Sequence, residues 1–436
     1  MSRIAVIGSG ISGLSAAWHL SRSAHPLEVT LFEAGQHFGG HAHTVDVTLQ
    51  GIRHGVDTGF LVFNERTYPG LIDLFEQLGV EQAPSEMSFS VQAPSANGQG
   101  SLEWSGHSLN TVFAQRGNFL RPRFWSMLAD IVRFNRLTTE LAERGSEAAL
   151  AQTIGEFLDS QRFSQAFRED YFLPMVACIW SCPTAQMLRF PIATMIRFCH
   201  NHGLLQIANR PQWYTVAGGS RQYVSKLVRQ LRDVRLQTPV KAITRQAQGV
   251  TVHTATGPQQ FDAVVLACHS DQALALLGPQ ASPAERLLLG SIRYQPNRAV
   301  LHTDTRMLPQ RQSAWAAWNY ERAASPRIED ARVCLHYLIN RLQPLPWETP
   351  VIVSLNPIRE PEARQVIQEI EYAHPVFDQA AIDAQTQLAH IQGQEHTWFA
   401  GAWCGYGFHE DGFQAGRLAA QGIIDRLSRP SARQAA

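Results

Sequence analysis

Residues 3–20 read Arg-Ile-Ala-Val-Ile-Gly-Ser-Gly-Ile-Ser-Gly-Leu-Ser-Ala-Ala-Trp-His-Leu. The aliphatic run before Gly8 is typical of a buried parallel strand, and the small residues after Gly13 are typical of a helix packed closely on it. In this pattern Gly8 permits a tight turn, Gly10 leaves room for a pyrophosphate, and Gly13 permits close helix–strand packing. The unpaired amides and the dipole at the start of the helix favour bound phosphates.

A second strand-like run, residues 27–32, ends at Glu33, twenty positions beyond Gly13. A carboxylate at that place accepts hydrogen bonds from the hydroxyls of an adenosine ribose. Strand, glycine turn, helix, second strand and acid follow one another in the order that such a site needs. The sequence therefore predicts an α/β fold with a Rossmann-like domain that binds a dinucleotide.

A second glycine pair, six residues past this acid, indicates which dinucleotide is bound. Residues 39–44 read Gly-Gly-His-Ala-His-Thr, residues 56–60 read Val-Asp-Thr-Gly-Phe, and residues 62–64 read Val-Phe-Asn. These motifs resemble the flavin-containing amine oxidase superfamily, which includes phytoene desaturases, protoporphyrinogen oxidase and UDP-galactopyranose mutase. The closest resemblance is to a bacterial branch described as NAD/FAD-binding proteins. It implies FAD as the cofactor, held in a GR2-type Rossmann-like domain.

The C-terminal part resembles the segment that closes over the flavin in this superfamily. Residues 396–401 look like its last strand, and residues 405–420 look like the turn and helix that follow. The resemblance implies that Gly412 opens that helix, with its amides facing the isoalloxazine. Ala402 stands where relatives usually carry an acid, so the sequence departs from the family pattern there.

Two middle segments resemble further parts of the cofactor domain. Residues 234–240 look like a strand whose Val240 meets the adenine, and residues 261–268 look like the strand beneath the dinucleotide. The motifs and the resemblance together give the predicted cofactor-binding residues: Gly8, Gly10, Ile11, Ser12, Gly13, Glu33, Ala34, Gly39, Gly40, His41, Ala42, His43, Thr44, Thr58, Gly59, Val240, Ala267, Gly401, Asp411, Gly412 and Phe413.

The remaining segments predict a second domain for the substrate. The expected cofactor domain is discontinuous and comprises residues 1–83, 211–284 and 391–428. The expected α+β substrate domain comprises residues 84–210, which are helix-rich, and residues 285–390, which mix strand-like runs with proline-rich connections. Residues 429–436 form a polar tail.

Composition excludes several classes of protein. Thirty-seven Lys and Arg residues balance 37 Asp and Glu residues, and charged residues make up only 17% of the 436 positions. A basic nucleic-acid binder is therefore excluded, and no apolar run approaches the roughly 18–20 residues that cross a bilayer. The start of the sequence carries no secretory signal, and six scattered cysteines do not suggest a disulfide framework. We expect a cytoplasmic protein whose oligomeric state is left open.

The chemistry that the resemblance implies is hydride transfer from a substrate to flavin N5. Amine oxidases place a lysine near that atom, but the comparable stretch here, residues 294–304, holds Asn297 and Arg298 and no lysine. Phe408 stands where one tyrosine of the aromatic cage would lie. We therefore expect oxidation or desaturation of a hydrophobic substrate, lipid, fatty-acyl or isoprenoid. A flavin amine oxidase and a non-redox flavin-dependent isomerase or mutase remain as alternatives.

Several polar residues near these motifs are candidates for catalysis or metal binding. His409 and Glu410 are predicted to flank the isoalloxazine, as an acid or base or through structural hydrogen bonds. His41 and His43 have the spacing of a metal pair, but no further ligands accompany them, so we predict flavin-side contacts and no metal site. The aromatic residues that could line an apolar pocket are Trp180, Trp213, Trp315, Trp318, Trp403 and Tyr406.

Residues 113–136 combine five arginines with one acid and many bulky apolar residues. Such a segment can form an amphipathic helix that lies on an anionic membrane surface, which here would be the inner membrane. It is more often typical of a helix that packs its apolar face on the core and exposes its arginines to water. The sequence leaves peripheral membrane contact open.

Overall fold

A computed structural model describes residues 1–94, 100–144, 151–204, 211–323 and 333–428, so the predicted tail, 429–436, lies outside the described residues. The strands are β1 (Ser2–Ile7), β2 (Leu27–Phe32), β3 (Thr44–Leu49), β4 (Ile52–Asp57), β5 (Phe63–Asn64), β6 (Gln82–Ser85), β7 (Phe89–Pro94), β8 (Ser101–Ser105), β9 (Trp213–Val216), β10 (Asp233–Arg235), β11 (Ala242–Gln246), β12 (Gly249–Thr254), β13 (Gly257–Phe261), β14 (Ala263–Leu266), β15 (Arg293–His302), β16 (Trp318–Glu321), β17 (Cys334–Leu338), β18 (Ile352–Leu355), β19 (Val366–Val376) and β20 (Thr397–Phe399). The helices are α1 (Ile11–Ser21), α2 (Pro69–Leu78), α3 (Leu109–Val112), α4 (Pro122–Arg144), α5 (Ile154–Ser160), α6 (Gln165–Phe167), α7 (Leu173–Trp180), α8 (Thr184–Met187), α9 (Ile192–Asn201), α10 (Arg221–Val228), α11 (Ser270–Leu277), α12 (Pro283–Gly290), α13 (Ile339–Leu342), α14 (Gln379–Gln387) and α15 (His409–Ser428).

One of the two large sheets of the fold is a five-stranded parallel sheet in the order β10-β2-β1-β14-β20. Its central strand β1 is buried from Ile4 to Ile7, because it has a neighbour on both edges, helix α1 on one face and the three-stranded sheet β11-β12-β13 on the other. The strands come from three separate stretches of chain, 2–32, 233–266 and 397–399. This sheet confirms the Rossmann-like, discontinuous fold that the glycine motif predicts.

The strand predicted over residues 234–240 is shorter than expected. Strand β10 ends at Arg235, and Gln237 takes a left-handed conformation with φ of 52°. The chain therefore turns before Val240. The amide of Thr238 then donates to the carbonyl oxygen of Glu33, which keeps this turn beside the sheet.

The first and last helices, α1 and α15, pack directly on each other. A Cβ atom at Gly412 would lie 2.7 Å from the side chain of Ile11, and one at Gly416 would collide with the carbonyl oxygen of Ser12. The prediction that Gly412 opens the last helix is wrong, because α15 begins at His409 and Gly412 lies in its first turn. The missing side chain at Gly412 is instead required for close contact between the two helices.

The other large sheet is a seven-stranded mixed sheet in the order β19-β15-β18-β17-β16-β7-β8. On its inner face, helix α7 contacts β16 and the ring of Phe124 on α4 packs on Trp104 of β8. One apolar core joins these helices to the parallel sheet. The region 84–210 is helix-rich as predicted, but it also supplies β7 and β8. The boundaries of the two expected domains stay a prediction.

No helix within the described ranges is long and apolar enough to span a bilayer.

Candidate functional site

The turn between β1 and α1 has the shape that a phosphate-binding loop needs. Gly8 has φ of 100°, and a Cβ atom there would lie 2.7 Å from the carbonyl oxygen of Ala267. A Cβ at Gly13 would collide with the carbonyl oxygen of Gly8. At Gly10, by contrast, no atom lies within 4 Å of the place a Cβ would take. Glycine is required for packing at the first and third positions, and at Gly10 it leaves open space before the helix.

That open space belongs to a cavity of about 740 Å³ that reaches the inner face of the seven-stranded sheet. Cavities of this size commonly hold cofactors and small molecules. The predicted cofactor-binding residues that line it are Gly8, Gly10, Ile11, Ser12, Glu33, Ala34, Gly40, His41, Gly59, Val240, Ala267 and Gly401. The predicted residues that lie behind the cavity wall are Gly13, Gly39, Ala42, His43, Thr44, Thr58, Asp411, Gly412 and Phe413.

Glu33 lies at the end of β2, where the sequence predicts the ribose acid. Its Oε2 atom accepts hydrogen bonds from the amide and hydroxyl of Ser9, at 2.9 and 2.5 Å. Its Oε1 atom accepts the amide of Gly35 at 2.7 Å. The carboxylate therefore braces the glycine turn as well as facing the cavity, and its position is fixed before any ligand binds.

The second glycine pair brings another loop against the glycine turn. The amide of Gly39 donates to the carbonyl oxygen of Ser9 at 3.1 Å, and Gly40 lines the cavity beside Gly10. The next residue, His41, is half-buried, and its buried Nε2 atom has no hydrogen-bond partner among the described residues. Such an atom normally has a partner, so the loop offers a polar contact to a ligand.

Among the residues behind the wall, three hold the surrounding loops together. Thr44 donates its hydroxyl to buried Asp57 at 2.5 Å, and Thr58 lies 2.8 Å from the hydroxyl of Tyr372. Asp411 accepts the amide of Phe408 at 2.9 Å, and burial raises the pKa of Asp411 to about 6. The structure thus places these side chains in loop support.

His409 lines the cavity, as predicted. Its ring stacks on Phe60 with 3.8 Å between ring centroids, and its Nε2 atom lies 2.7 Å from the hydroxyl oxygen of Tyr223. Burial lowers the pKa of His409 to about 3, so the ring is neutral at physiological pH. A neutral ring held by both contacts is suited to orienting a ligand rather than to carrying positive charge.

Glu410 points away from the cavity. Its carboxylate accepts the amides of Gly70 and Leu71, at 3.0 and 2.9 Å, which are at the start of α2. Acids stabilise helix N-termini in this way because the first amides have no partner within the helix. The structure therefore gives Glu410 a helix-capping role and no contact with the cavity.

The far end of the cavity, away from the glycine turn, is aromatic and aliphatic. Of the six aromatic candidates, Trp180, Trp213, Trp318, Trp403 and Tyr406 line the cavity, whereas Trp315 lies on the outer face of the seven-stranded sheet. The other apolar lining residues at this end are Phe60, Leu61, Val62, Tyr68, Met87, Ile179, Phe198, Leu204, Tyr337, Phe377 and Phe408.

The cavity wall also carries a group of polar rings that the sequence motifs do not predict. His374 stacks obliquely on His41 with 5.3 Å between ring centroids, and His269 stacks on Tyr294 at 4.3 Å. Burial lowers the pKa of His374 to about 4, and that of His41 well below its usual value. The alternation of apolar and polar residues over 366–376 is a signal for strand β19, which would have placed His374 on the sheet.

The strand that carries a lysine in amine oxidases holds a hydrogen-bonded amide here. Asn297 donates to Nδ1 of His374 at 2.8 Å. Its neighbour Arg298 points to the opposite face and forms ion pairs with Glu360 and Glu369, both at 2.9 Å. No lysine lines the cavity within the described part of the chain.

A family model for flavin-containing amine oxidoreductases matches residues 11–329. The chain belongs to this family. Membership brings a flavin, FAD, as the cofactor. The open space at Gly10, the carboxylate of Glu33 and the unpartnered Nε2 atom of His41 fit the phosphates, ribose and polar edge of such a dinucleotide. The two glycine loops and Val240 would hold it.

Individual members of this amine oxidoreductase family are similar to the chain at low identity. A protein of Mycobacterium tuberculosis described as a flavin-containing monoamine oxidase is 25% identical over 277 residues, which are 61% of this chain and 56% of that relative. The match thus spans little more than half of the relative's length.

Solved structures share the fold over nearly the whole chain. Cyclohexylamine oxidase from Brevibacterium oxydans aligns with a TM-score of 0.69 at 18% identity, covering 98% of this chain and 100% of that one. A CLA-producing fatty acid isomerase from P. acnes aligns with a TM-score of 0.65 at 15% identity, covering 98% and 99%. One fold thus serves an amine oxidase and a lipid isomerase, so it does not decide the substrate.

Replacing Glu410 by alanine is expected to lower the free energy of unfolding by about 1–2 kcal/mol, because the first amides of α2 lose their acceptor. The fall is measured by thermal or denaturant unfolding of the FAD-loaded protein. Asp425→Ala, an acid on the exposed face of α15, is the control and should change little. If the variant is as stable as the wild type but its flavin is no longer reduced by substrate, Glu410 takes part in catalysis instead.

Proposed function

We propose that the chain is an FAD-dependent oxidoreductase that removes a hydride from a hydrophobic substrate, a fatty-acyl lipid or an isoprenoid. The observation that carries the proposal is the far end of the cavity. Among the described residues that line the cavity, Glu33 is the one carboxylate, and no lysine or arginine is present. Because Glu33 lies at the glycine turn, the far end of the cavity has no carboxylate, lysine or arginine. A long apolar chain gains about 0.8 kcal/mol for each methylene that it buries against such walls.

An amine substrate is less well supported by the same residues. At neutral pH an alkylamine carries a positive charge, and the far end offers it aromatic faces but no carboxylate. The amide of Asn297, bound to His374, stands on the strand where amine oxidases carry lysine. Amine oxidation is therefore kept as an outcome of the test.

The chain's own groups position the substrate and exclude water. Bound FAD supplies a hydride acceptor at N5. Trp318 and Tyr337, which pack edge to face at 5.0 Å, form the floor of the cavity, and Phe408 stacks on Phe198 at 4.6 Å to form a wall. Neutral His409 orients polar groups without offering a charge that would draw in water.

The test is anaerobic bleaching of the bound flavin by a panel of substrates. The panel holds a fatty-acyl phospholipid, a free fatty acid, an isoprenoid and a primary alkylamine. We expect bleaching by a lipid or isoprenoid together with a product that has lost two hydrogens. Bleaching by the amine alone would contradict the proposal, and a rearranged lipid with no net oxidation would establish the isomerase alternative.

A pair of tryptophans offers a matched control for that test. Trp318 lines the cavity, and Trp315, three residues earlier, does not. We expect Trp318→Leu to change KM or the preferred chain length of the substrate and Trp315→Leu to leave both unchanged. Equal effects of the two variants would mean that the substrate does not occupy this end.

We further propose that the enzyme collects its substrate at an anionic membrane surface through an apolar tip. The tip consists of Leu109, Phe119, Leu120 and Trp125, whose exposed fractions are 82%, 48%, 88% and 49%. The indole of Trp125 donates to the carbonyl oxygen of Phe119 at 2.9 Å. Leu109 joins them through Phe113, whose amide donates to the carbonyl oxygen of Leu109 at 3.2 Å and whose ring stacks on Phe119 at 3.7 Å. Exposed apolar residues gathered in this way are typical of a membrane or partner contact.

Only part of the predicted basic segment is available to such a surface. Arg123 pairs with Asp170 at 3.1 Å, and Arg133 pairs with Asp130 at 2.9 Å. Arg116, Arg121 and Arg136 form no ion pair within the described residues and adjoin or follow the tip. Helix α4 packs on α9, whose Phe198 lines the cavity, so the tip is one helix away from the site.

Replacing Leu120 by aspartate is expected to weaken binding to vesicles that contain phosphatidylglycerol by about tenfold. The reason is that a charge replaces an apolar side chain that would insert into the membrane. Sedimentation of the protein with the vesicles measures the change. Leu287→Asp, at an exposed leucine on α12, is the matched control. Equal vesicle binding by wild type and both variants would overturn the membrane proposal and leave the redox proposal untouched.

A further inference from the structure

The outer face of the seven-stranded sheet, turned away from the cavity, is unexpectedly polar. Along β17 the side chains alternate, so that Leu335 and Tyr337 face the core and cavity while Cys334 and His336 face outward. This outer face is not open to water, because residues 303–317 cover it. The fully buried polar residues on it are Ser90, His302, Asn319, His336 and Ser354.

Three possible metal ligands meet at one end of this face. Nε2 of His336 lies 3.0 Å from Oε2 of Glu321 and 3.4 Å from Sγ of Cys334. All three atoms lie within 4.8 Å of one another. In a catalytic triad the thiol and the acid would contact opposite nitrogens of the ring. Here both contact the same nitrogen, so the three atoms surround one common point.

We propose that Glu321, Cys334 and His336 bind one Zn²⁺ ion at that point. Thiolate, imidazole and carboxylate together form a donor set that zinc prefers. In a tetrahedral zinc site with ordinary bond lengths, a nitrogen and a sulfur ligand lie about 3.6 Å apart and a nitrogen and an oxygen about 3.3 Å apart. The two separations from Nε2 of His336 are within about 0.4 Å of these values. The sulfur and oxygen atoms lie within 4.8 Å of each other, and binding would set them about 3.6 Å apart.

The neighbouring residues already hold the ligands in place. Nδ1 of His336 lies 2.6 Å from the hydroxyl oxygen of Ser354, which is also 2.6 Å from Nε2 of His302. Nδ1 of His302 accepts the amide of Asp304 at 3.0 Å. Metal-binding histidines usually have their second nitrogen fixed by such a partner. These contacts fix the ring of His336 and direct its Nε2 atom toward Glu321 and Cys334. To bind the ion, Nε2 would give up any hydrogen it carries, and Nδ1 would donate its hydrogen to Ser354.

One carboxylate oxygen of Glu321 is also available to bind the ion. Arg359 donates to Oε1 at 3.1 Å, while Oε2 faces His336. The Glu321 side chain is 14% exposed, whereas that of His336 is fully buried, so the ion would enter from the side of Glu321. A fourth position remains for water, and the thiolate and carboxylate would balance the charge of the ion.

The position of the three residues suggests a structural purpose. Glu321 and Cys334 are directly opposite each other on neighbouring antiparallel strands, at the last pair before residues 322–333 connect β16 to β17. A metal there would join the two strands where their pairing ends. Trp318 and Tyr337 lie on the same strands and form the cavity floor, so the ion would stiffen that floor from behind.

The proposal is tested on the FAD-loaded enzyme by metal analysis and X-ray absorption at the zinc edge. After incubation with ZnSO₄ and removal of unbound metal, we expect roughly one zinc per chain, with one sulfur neighbour at about 2.3 Å. X-ray absorption distinguishes this site from surface histidines, which supply no sulfur. A wild-type enzyme that retains no zinc, or zinc without a sulfur neighbour, would overturn the proposal.

Variants provide the second arm of the test. Cys334→Ser and Glu321→Gln are expected to lower zinc affinity at least tenfold, by loss of a ligand. Cys199→Ser, at another fully buried thiol, is the matched control and should keep the metal. FAD content and circular dichroism report whether each variant folds. Folded Cys334→Ser enzyme that still retains stoichiometric zinc would also overturn the proposal, and unfolded variants leave the wild-type spectrum as the deciding measurement.

Discussion

Replacing Gly10 by valine is expected to lower the affinity for FAD at least a hundredfold and to leave the fold intact. Gly10 has φ of −60° and ψ of 174°, a conformation that any residue adopts, and no atom lies within 4 Å of its missing Cβ. A valine there is accommodated by the chain but fills the space in front of the amides of α1, where the phosphates belong. A hundredfold loss corresponds to about 2.7 kcal/mol of binding free energy.

The FAD measurement is a fluorescence or calorimetric titration of the apoprotein, with circular dichroism as the report on folding. Gly117→Val is the control, since Gly117 is exposed and its Cβ would also meet no atom. Gly13→Val serves as the opposite case, because its Cβ collides with the turn and should impair folding itself. A Gly10→Val enzyme that purifies with a full complement of FAD would refute this assignment of the phosphate site.

Three buried histidines are expected to lower the free energy of unfolding by about 5 kcal/mol between pH 6.5 and pH 5. Burial lowers the pKa values of His202 and His302 to about 4 and that of His409 to about 3. Below pH 6.5 the unfolded chain takes up a proton at each of these histidines, and the folded chain does not, so acid favours unfolding. Because an unfolded histidine is already half protonated at pH 6.5, each of the three contributes about 1.6 kcal/mol over this interval.

Urea unfolding at half-unit pH steps measures this dependence. The buried carboxyls of Asp57 and Asp411, whose pKa values burial raises to about 6, take up protons in the folded chain over the same interval and offset part of this loss. His202→Phe, which keeps an aromatic ring stacked on Phe198, should reduce the proton uptake on unfolding by about one. His107→Phe, at an exposed position, should leave the slope unchanged. A stability that stays constant between pH 6.5 and 5 would contradict the prediction.

The parallel sheet and its glycine turn were predictable because their chemistry is local. The pattern from Arg3 to Glu33 needs particular residues at particular spacings, and the structure places Gly8, Gly10 and Glu33 as expected. The role of Gly412 was misjudged because a helix start and a helix–helix contact both require glycine. Only the position of Ile11 in space distinguishes them.

The polar groups of the site could not be assigned from sequence, because their roles depend on distant partners. Glu410 was taken for a flavin neighbour, yet its partners are the amides of Gly70 and Leu71. His374 was missed because its place on the cavity wall follows from the pairing of β19 with β15. Likewise, Glu321 and Cys334 are thirteen positions apart in sequence and become neighbours only through antiparallel pairing.

The contact between α1 and α15 has a consequence for the order of events during synthesis. Strand β20 and helix α15 complete the parallel sheet and pack on the helix that carries the glycine turn, and they are made after the other strands of that sheet. At 5–20 residues per second, roughly 20–80 seconds separate the synthesis of Gly10 from that of Gly416. The FAD pocket is unfinished during that time, so flavin capture becomes a step that follows the synthesis of α15.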